Sequence, residues 1–419
     1  MNRIAGWKPK TLTELANYIN GFAFKPADWG KEGLPIIRIE QLKNPEAQAD
    51  YFAGKLSSSR IIENGDLIFS WSASLFLRIW QHDRAALNQH LFKVIEVDGI
   101  DRGFLKAFIE FHLPALAAAS HGSTMQHITR KELGRFVAPF PESEDEQAKI
   151  AEIISAVDRA IEQTEALIAK QERIKTGLMQ DLLTCGIDEH DNLRSESTHE
   201  FKDSPFGRIP VGWNPVSLES VSEFVTSGSR GWARYYSTDG AIFLRIGNLT
   251  RRHINFRLDD LVFVSPPQSS EGKRTAVETG DLLISITADL GIIGIVPSDF
   301  DEAYVNQHIA LVRLMKEEVS PRFIGWFLSS QGGQTQFESF NESGAKAGLN
   351  LPTIKRLIVP KMNPTEQERI AAILDSAAES IKDYERQLVK LRYSKAGLMQ
   401  DLLTGKKRVT PLLQINADN

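Results

Sequence analysis

The octapeptide GLMQDLLT occurs twice in this chain of 419 residues, at 177–184 and again, letter for letter, at 397–404. Shorter matches precede it in the same order, among them Asn88-Gln89-His90 and Asn306-Gln307-His308. An identical octapeptide indicates a duplication, and the repeat is far longer than the roughly 20–50 residues of solenoid repeats. The sequence therefore predicts two copies of one unit, each large enough to bury its own core.

The spacing between matching motifs changes along the copies. It is 206 residues between the Gly6-Trp7 and Gly212-Trp213 pairs, and it reaches 220 residues in the octapeptide. The additional residues fall mainly between Arg245 and Gly280 of the second copy. Domains that keep a framework and vary their loops share a fold and bind different ligands. We therefore expect two related domains with unlike binding surfaces.

Each copy closes with a pattern that is typical of one long helix. Ser143 and Glu146 have the spacing of a capping box, and Pro364 suits the first position of the second helix. Apolar residues then recur at spacings of three and four over about 40 residues, which predicts a coiled-coil seam and a rod of roughly 60 Å in each copy. We expect the rods to pack on each other through Ile150, Ile153, Val157, Ile161, Ile168, Ile174, Leu178 and Leu182, and through Ile370, Ile373, Ala377, Ile381, Tyr384, Leu388, Leu391, Leu398 and Leu402.

These patterns divide the chain into six segments. The part before each helix combines short β-rich runs with an amphipathic helix, which predicts a mixed α/β domain. The polar, acidic stretch after the first helix has the composition of a linker. The expected segments are a first domain at 1–142, a first helix at 143–185, a linker at 186–205, a second domain at 206–362, a second helix at 363–405 and a C-terminal tail at 406–419.

Charge is unevenly distributed along the chain, whose net charge is −5. Residues 1–140 carry 17 basic and 14 acidic side chains, whereas 141–200 carry 6 basic and 15 acidic ones. A protein that reads DNA needs a local positive surface and not a global excess, so this balance neither excludes nor demonstrates DNA binding. No apolar run approaches the length of a bilayer span, and no signal-peptide pattern opens the sequence. The single cysteine, Cys185, cannot form an internal disulfide, which favours a cytoplasmic location and an inert thiol.

Sequence motifs for catalysis and cofactor binding are missing. There is no G-x-x-x-x-G-K-[ST] phosphate loop, no convincing glycine-rich cofactor loop and no His/Cys spacing that is typical of a metal site. The repeated Asn-Gln-His is interpreted as a turn that hydrogen-bonds its own backbone, and not as a catalytic group. We therefore expect no catalytic residue, no metal ligand and no cofactor bound by this chain.

The remaining chemistry consists of basic, amide, hydroxyl and aromatic side chains in predicted loops. Such side chains hold phosphates, hydrogen-bond base edges or lie against sugars and bases, although each one alone is better explained as solvated surface. The candidate DNA-binding residues are Lys25, Trp71, Arg78, Ser123, Gln126, His127, Arg230, Arg234, Tyr236, Asn248, Arg251, Arg252, Arg257, Lys273, Arg274 and Lys346. Arg251, Arg252 and Lys273 are predicted phosphate anchors. Gln126 and Asn248 are predicted base-edge readers.

The combined pattern resembles the specificity subunits of type I restriction–modification systems. The resemblance covers essentially the whole chain. It is carried by Ile209-Pro-x-Gly-Trp213, by Gly-Asp-Leu near the middle of each domain, by Asn-Gln-His, and by helices that start with Glu-Gln-x-x-Ile and end with the octapeptide. The departures are small. The first copy keeps only Gly6-Trp7 of its opening, and 360–364 reads PKMNP where the family often has a proline-rich run.

This resemblance implies a fold, a function and partners. The fold would be two globular α/β target-recognition domains separated by two long helices in an antiparallel coiled coil, with an internal pseudo-two-fold repeat. The chain would read a bipartite, asymmetric DNA target without catalysing a reaction. Its partners would be double-stranded DNA, two adenine methyltransferase subunits and two restriction/translocase subunits, and S-adenosylmethionine, ATP and Mg would bind to those subunits. Glu162, Glu165 and Glu172, which fall off the seam, are candidates for a partner-facing side or for a merely solvated face.

Two other interpretations remain open from the sequence. A recognition module of another multisubunit methylation or nuclease system would show the same features, and only the neighbouring genes would distinguish it. A coiled-coil scaffold whose globular ends bind proteins or glycans would explain the helices. That scaffold would not explain two copies that keep a framework and differ in their loops. A gel shift with random DNA duplexes and co-purifying partners would separate these classes.

Overall fold

The computed structural model describes residues 4–119, 127–266, 270–341 and 349–415. The chain forms two compact units: one contains the chain up to Glu165 and from Arg386 onward, and the other contains Ala166–Glu385. The division falls inside both long helices and not in the expected linker. Each unit therefore consists of one globular domain together with about half of each long helix.

The first domain is built on two four-stranded sheets. Its strands are β1 (Trp7–Thr11), β2 (Ala16–Asn20), β3 (Leu34–Ile37), β4 (Tyr51–Phe52), β5 (Ile61–Ile62), β6 (Leu67–Ser70), β7 (Phe76–Ile79), β8 (Ala85–Leu87), β9 (Leu91–Glu96) and β10 (Val137–Pro141), and its helices are α1 (Leu12–Leu15), α2 (Ile39–Lys43), α3 (Arg102–Ala119) and α4 (Arg130–Arg135). The sheets have the strand orders β2-β9-β6-β7 and β4-β3-β8-β5, and β1 pairs with β10. The β3–β8 pair is parallel and the other pairs are antiparallel.

The second domain repeats most of this topology, with β15 as an additional edge strand and an isolated bridge between Ala276 and Tyr304 at the position of β5. After α5 (Glu144–Leu182), its strands are β11 (Phe201–Ser204), β12 (Gly207–Pro210), β13 (Asn214–Ser217), β14 (Ser222–Ser227), β15 (Tyr236–Ser237), β16 (Ala241–Leu244), β17 (Phe263–Val264), β18 (Leu282–Ser285), β19 (Ile293–Ile295), β20 (Ala303–Val305), β21 (Ile309–Leu314) and β22 (Ile358–Lys361). Its helices are α6 (Ser270–Thr275), α7 (Pro321–Ser329), α8 (Gln331–Asn341) and α9 (Leu351–Lys355), and α10 (Pro364–Leu402) and α11 (Thr410–Ile415) follow. The sheets have the orders β14-β21-β18-β19 and β15-β17-β16-β20, with β16 and β20 parallel. The predicted duplication is confirmed at the level of the fold.

The repeated Gly-Asp-Leu motif forms the turn that leads into a central strand of each domain. Gly65 and Gly280 have φ values of +92° and +85°, a region that side chains with a Cβ rarely adopt. The following aspartate closes the turn, because Asp66 and Asp281 each accept a backbone hydrogen bond at 2.7 Å from the residue three positions earlier. The motif is thus a turn that sets the start of β6 and β18.

Within each unit the two helical segments run antiparallel. In the first unit Asp158 of α5 pairs with Lys395 of α10 at 2.6 Å, and Glu165, further along α5, pairs with the earlier residue Arg392 at 2.7 Å. In the second unit the end of α5 and the start of α10 join one hydrophobic core, through Leu182, Leu183, Ile370 and Leu374 among others. The expected fold class, mixed domains with an antiparallel pair of long helices and an internal repeat, is confirmed.

Some seam positions differ from the expected ones. Ile174 is exposed, whereas Thr164 and Lys175 are buried. Lys175 is buried where its ammonium donates a hydrogen bond to the carbonyl of Arg252 in the second domain. At this point of α5, a polar contact with that domain takes the place of the expected apolar seam. The helices are Glu144–Leu182 and Pro364–Leu402, slightly shorter than the expected 143–185 and 363–405.

The expected linker is not an extended connection. It contains β11, and Arg194 forms an ion pair with Glu366 at the start of α10. The tail after α10 has the matching role in the first unit, where Arg408 pairs with Glu146 at the start of α5. In both units the carboxylate also accepts a hydrogen bond at 3.3 Å from an indole N–H, that of Trp7 or Trp213. The segment after each helix therefore packs against the start of the other helix.

The glutamine that follows each of these glutamates fixes the helix start from the other side. Gln147 donates to the carbonyl of Pro141 at 3.1 Å and accepts from the backbone N–H of Asp101 at 2.8 Å. Gln367 makes the same contacts with Met362, at 2.9 Å, and with Ser320, at 2.9 Å. The Glu-Gln signature of each helix is thus a buried clamp between helix and domain.

Candidate DNA-recognition surface

The two domains carry one loop framework at the same end of their central sheets. In the loops between β6 and β7 and between β18 and β19, Ser70 and Ser285 donate to a carbonyl four residues later at 2.5 Å. Ala73 and Ala288 follow with φ values of +60° and +59°, which is uncommon for alanine and carries a strain cost. Both copies hold this loop in the same backbone conformation, so its side chains can differ between the domains without a change in the backbone.

The Asn-Gln-His segments are turns, as predicted. Asn88 and Asn306 accept a hydrogen bond from the backbone N–H of the histidine two residues later, at 3.3 and 3.0 Å. Around this common turn the chemistry differs between the domains. His308 shares a hydrogen bond with Thr287 at 2.7 Å, whereas the ring of His90 lies 6.0 Å from that of Trp71.

The aromatic candidates of the first domain pack together and leave polar atoms without partners. Trp71 stacks on Phe92 with ring centroids 5.4 Å apart, and the ring of His127 lies 5.8 Å from that of Trp71. The indole N–H of Trp71 and Nδ1 of His127 are buried and have no hydrogen-bond partner among the described residues. An unsatisfied buried polar group costs about 1–3 kcal/mol, which favours a role beyond packing for this pair.

The two basic candidates of the first domain are exposed. Lys25 begins the turn at Pro26–Asp28, where its backbone N–H donates to Asp28 at 2.7 Å. Arg78 lies on β7, and its guanidinium makes a long contact, 3.5 Å, with the carbonyl of Lys43. Both side chains are therefore available to a phosphate.

Five candidates of the second domain, Arg230, Arg234, Tyr236, Lys273 and Arg274, are on the segment that follows β14 or on α6. Arg274 donates to Thr226, to the carbonyl of Ser227 at 2.6 Å and to the hydroxyl of Ser229 at 2.6 Å. It thereby holds the loop that presents Arg230, and the exposed Lys273 precedes it on α6.

An exposed aromatic side chain accompanies this cationic group. Arg234 lies 4.8 Å from the ring of Tyr235, and Tyr236, on β15, is 51% exposed. The cationic and aromatic groups are joined by one stretch of chain, because the segment after β14, which Arg274 holds, leads directly into the turn at Trp232–Tyr235 and β15. The combination suits a nucleic-acid backbone with its sugars and bases.

Tyr304 lies beneath this surface and takes no part in proton chemistry near neutral pH. Burial, together with its hydrogen bond to Glu302, raises the pKa of Tyr304 to about 12. The phenol supports the ring of Trp232, which lies 5.4 Å away and stacks on Phe243.

Asn248 is not placed to read a base, which corrects its predicted role. Its side chain is buried, accepts from the backbone N–H of Arg245 at 2.9 Å, and donates to the carbonyls of Arg257 and Asp260 at 3.1 and 3.2 Å. A side chain whose polar atoms are already bonded has nothing to offer a base edge. The same contacts fix the loop on which the exposed Arg257 stands.

Two of the three predicted phosphate anchors are engaged in the protein itself. Arg251 donates to Gln334 at 2.7 Å, to Asp289 at 2.5 Å and to the carbonyl of Leu290 at 2.7 Å, so it ties the loop after β18 to α8. Arg252 forms ion pairs with glutamates on α5 and α10, so it is separate from the cationic group around Arg230. Glu172, a candidate for the partner-facing side of α5, is one of those glutamates, so part of its charge is neutralised within the chain. Ser123, Gln126 and Lys346 lie outside the described residues.

Trp29, which lies in a predicted turn of the first copy beside Lys25, accompanies these candidates. Trp29 is 47% exposed, and it stands 207 residues before Tyr236, the spacing at which the two domains correspond in this region. The guanidinium of Arg38 lies 5.2 Å from its ring. Trp29 and Tyr236 are thus exposed aromatic residues at corresponding positions of the two domains.

The described ranges contain neither a cluster of metal ligands nor a helix that could cross a membrane. No three His, Cys, Asp or Glu side chains are grouped there as metal ligands would be. The helices in those ranges do not include one with both the length and the apolar character needed to cross a bilayer. Cys185 is half-buried and makes no disulfide.

Two homologous mixed domains with unlike cationic and aromatic loops, each attached to the same helix pair, define a two-domain nucleic-acid recognition protein. The comparison with known families agrees with this class. The chain matches the type I restriction modification DNA specificity domain twice, over residues 4–173 and 210–390. These matches span most of its length, so the chain belongs to that family. Members of this family recognise DNA for type I restriction–modification systems and are not themselves catalytic.

Relatives resemble the chain over nearly its full length. It is 24% identical to the EcoBI specificity subunit of Escherichia coli, over 99% of this chain and 88% of that protein. It is also 24% identical to the MjaVIII specificity subunit of Methanocaldococcus jannaschii, over 97% and 94% of the two chains.

Solved structures share the fold at low sequence identity. The type I S subunit from M. genitalium has a TM-score of 0.63 and 16% identity, and the match covers 96% of this chain and 97% of that one. A chain from a study of assembly and conformational transition in a type I system has a TM-score of 0.55 and 17% identity, over 96% and 99%.

Proposed function

We propose that this specificity subunit reads a bipartite, asymmetric DNA target, with one half-site for each domain. The observation that carries the proposal is that the two domains share a backbone framework in their loops and present different side chains on it. His90 lies beside Trp71 in the first domain, whereas the equivalent His308 hydrogen-bonds to Thr287 in the second. Among the described residues, the Arg230 and Arg274 group belongs to the second domain. Unlike side chains on equivalent frames would contact different base edges, so the half-sites would differ.

The helix pair would present the same docking surface twice, to two copies of one partner. Gly177 and Gly397 lie inside long helices, where glycine costs about 1 kcal/mol relative to alanine, and a Cβ at either position would meet nothing within 4 Å. Gln180 and Gln400 are exposed in both copies of the octapeptide. Packing within this chain does not require these identities. We therefore assign this face to two adenine methyltransferase subunits, with two restriction/translocase subunits joining them for cleavage.

The chemistry of modification and cleavage would then belong to those partners. S-adenosylmethionine would bind to the methyltransferase subunits, and ATP and Mg to the restriction subunits, while this chain would bind none of them. The subunit would act in the cytoplasm, where the DNA and these partners meet.

The test of bipartite reading is a domain exchange. Pro9 and Pro139 face each other in the β1–β10 pair, and Pro215 and Pro360 face each other in the β13–β22 pair. Replacing 9–139 with the same domain of a relative therefore joins the chains at two adjacent strands. We expect one half-site of the methylated target to change, and the reciprocal exchange of 215–360 to change the other. A change in both half-sites, or in neither, would contradict independent reading.

The docking proposal has its own test. Gly177→Leu should improve helix propensity and yet remove one methyltransferase copy from the complex, as counted by native mass spectrometry, and Gly397→Leu should do the same. Lys170→Leu, on an exposed position of the same helix, is the matched control and should leave two copies bound. Two copies bound to both glycine variants would exclude this face as the docking site.

A further inference from the structure

The insertion of the second copy contacts both helical segments of its own unit. The guanidinium of Arg252 lies 3.7 Å from Glu172 of α5 and forms a closer ion pair with Glu385 of α10. The carbonyl of Arg252 accepts a hydrogen bond from Lys175 of α5 at 2.9 Å, and Lys175 also pairs with Glu172 at 2.7 Å. One loop residue is thus connected to two helices. Arg252, Glu172, Lys175 and Glu385 are called the Arg252 brace below.

The brace is more than an isolated surface ion pair. An exposed pair contributes little, whereas several charges that share partners contribute more. The side chain of Lys175 is only 9% exposed, and its ammonium is held by a carboxylate and a carbonyl together. The neighbouring His253 has its pKa lowered by burial, so it adds no positive charge beside Lys175 and Lys382 near neutral pH.

A second set of contacts ties the same insertion to α10. The side-chain carbonyl of Asn255 accepts from Arg322 at 3.2 Å, and Arg322 in turn forms a bidentate pair with Asp375 of α10. The indole N–H of Trp326 donates to the same carboxylate at 2.8 Å. The insertion therefore meets α10 near Asp375 and near Glu385, about two to three helical turns apart, which restrains both its position and its tilt.

The described residues of the first domain make no such connection. Pro45 stands 207 residues before Arg252, at the corresponding position, and cannot form an ion pair. A groove of about 710 Å³ lies there, lined among others by Pro45, Arg159 and Glu162. In the second unit the space that Arg252 lines with Ala378 and Glu385 of α10 is only about 10 Å³. A groove of about 1100 Å³ remains between the insertion and the C-terminal part of α5. The two domains are thus attached to their helices differently.

We propose that the Arg252 brace is a positioning element that fixes the second recognition domain on its helix segments and so fixes the register at which its half-site is read. The charge of Arg252 is used by two carboxylates, which argues against its predicted role as a phosphate anchor. The consequence for DNA rests on the proposed bipartite function. The attachment itself can be measured without DNA.

The test uses the complex of the full chain with its methyltransferase subunits. The substrate is the target that the wild-type complex methylates, together with duplexes whose unread spacer is one base pair longer or shorter. Arg252→Ala should reduce the preference for the native spacer about tenfold, the factor expected for the loss of charge-assisted contacts of this kind, while the native target is methylated at close to the wild-type rate. Arg252→Lys, which restores the charge, should recover part of the preference.

The matched control is Arg392→Ala. Arg392 pairs with Glu165 between the two helices of the first unit, and it is not part of the Arg252 brace. This variant should keep the spacer preference. An unchanged preference in Arg252→Ala, or an equal loss in Arg392→Ala, would overturn the proposal.

Hydrogen–deuterium exchange separates failure of the brace from failure of the proposed function. Amides of 250–257 should exchange faster in Arg252→Ala than in wild type, and those of the first domain should not change. Should Arg252→Ala fold poorly, Glu385→Gln removes the same pair and is expected to give the same two results. Unchanged exchange at 250–257 would refute the brace whether or not the target is bipartite.

Discussion

The clamp at the start of α10 gives a stability prediction whose size follows from its contacts. Glu366 is 8% exposed and accepts from Arg194 at 2.5 and 3.2 Å, from the indole N–H of Trp213 at 3.3 Å and from the backbone N–H of Ile187 at 3.2 Å. Glu366→Ala leaves four N–H groups, from three residues, without this acceptor. Removing one partner of a buried ion pair costs about 3–5 kcal/mol, so we expect a loss of that size in the unfolding free energy of the second unit. Glu366→Gln, which keeps an acceptor, should cost less.

Urea denaturation of the full chain, followed by circular dichroism, measures this loss. The matched control is Glu368→Ala, an exposed position two residues along the same helix, which should change the free energy by no more than about 0.5 kcal/mol. The double variant with Arg194→Ala should cost clearly less than the sum of the single variants, because both remove one pair. Equal effects of Glu366→Ala and Glu368→Ala, or full additivity with Arg194→Ala, would refute the clamp.

Three further predictions follow from the placement of individual side chains. Asn248→Ala should destabilise the second domain by about 1–3 kcal/mol in thermal unfolding and leave the methylated target unchanged, whereas a relaxed base preference would restore the reading role. Arg257→Ala and Lys273→Ala should each weaken binding to all duplexes and flatten the salt dependence by about one unit; an unchanged salt slope would remove them from the surface. Burial lowers the pKa of His112 to about 4, so the folded state keeps it neutral while the unfolded chain takes up a proton below about pH 6.5. Stability should therefore fall by about 1–2 kcal/mol as the pH drops from 6.5 to 4, allowing for partial exposure, and His112→Phe should lose that dependence.

The sequence was sufficient for features that depend on periodicity and on repetition. The apolar spacing located both long helices to within three residues at each end, and the repeat offset predicted two domains with one topology. The Asn-Gln-His turns were also interpretable, because asparagine bonds its own backbone through a local contact. Such signals need no knowledge of the tertiary structure.

Features that depend on distant contacts were missed. Asn248 has the chemistry of a base reader, and only the positions of Asp260 and Arg257 show that its amide is already used. The linker composition gave no sign that Arg194 lies against Glu366, which is 172 residues away in the chain. The sequence does not distinguish a polar side chain that faces DNA from one that is bonded within the protein. A list of candidates based only on residue type in loops is therefore larger than the recognition surface.

The central claim is that two unlike domains read two half-sites of one asymmetric target. Genome-wide mapping of methylated adenines, in a host that carries this chain with its methyltransferase subunits, tests that claim most directly. We predict one motif with two different half-sites, separated by an unread spacer of fixed length, about six or seven base pairs if both domains approach one face of the duplex. A continuous motif, or a palindrome with identical half-sites, would contradict the account.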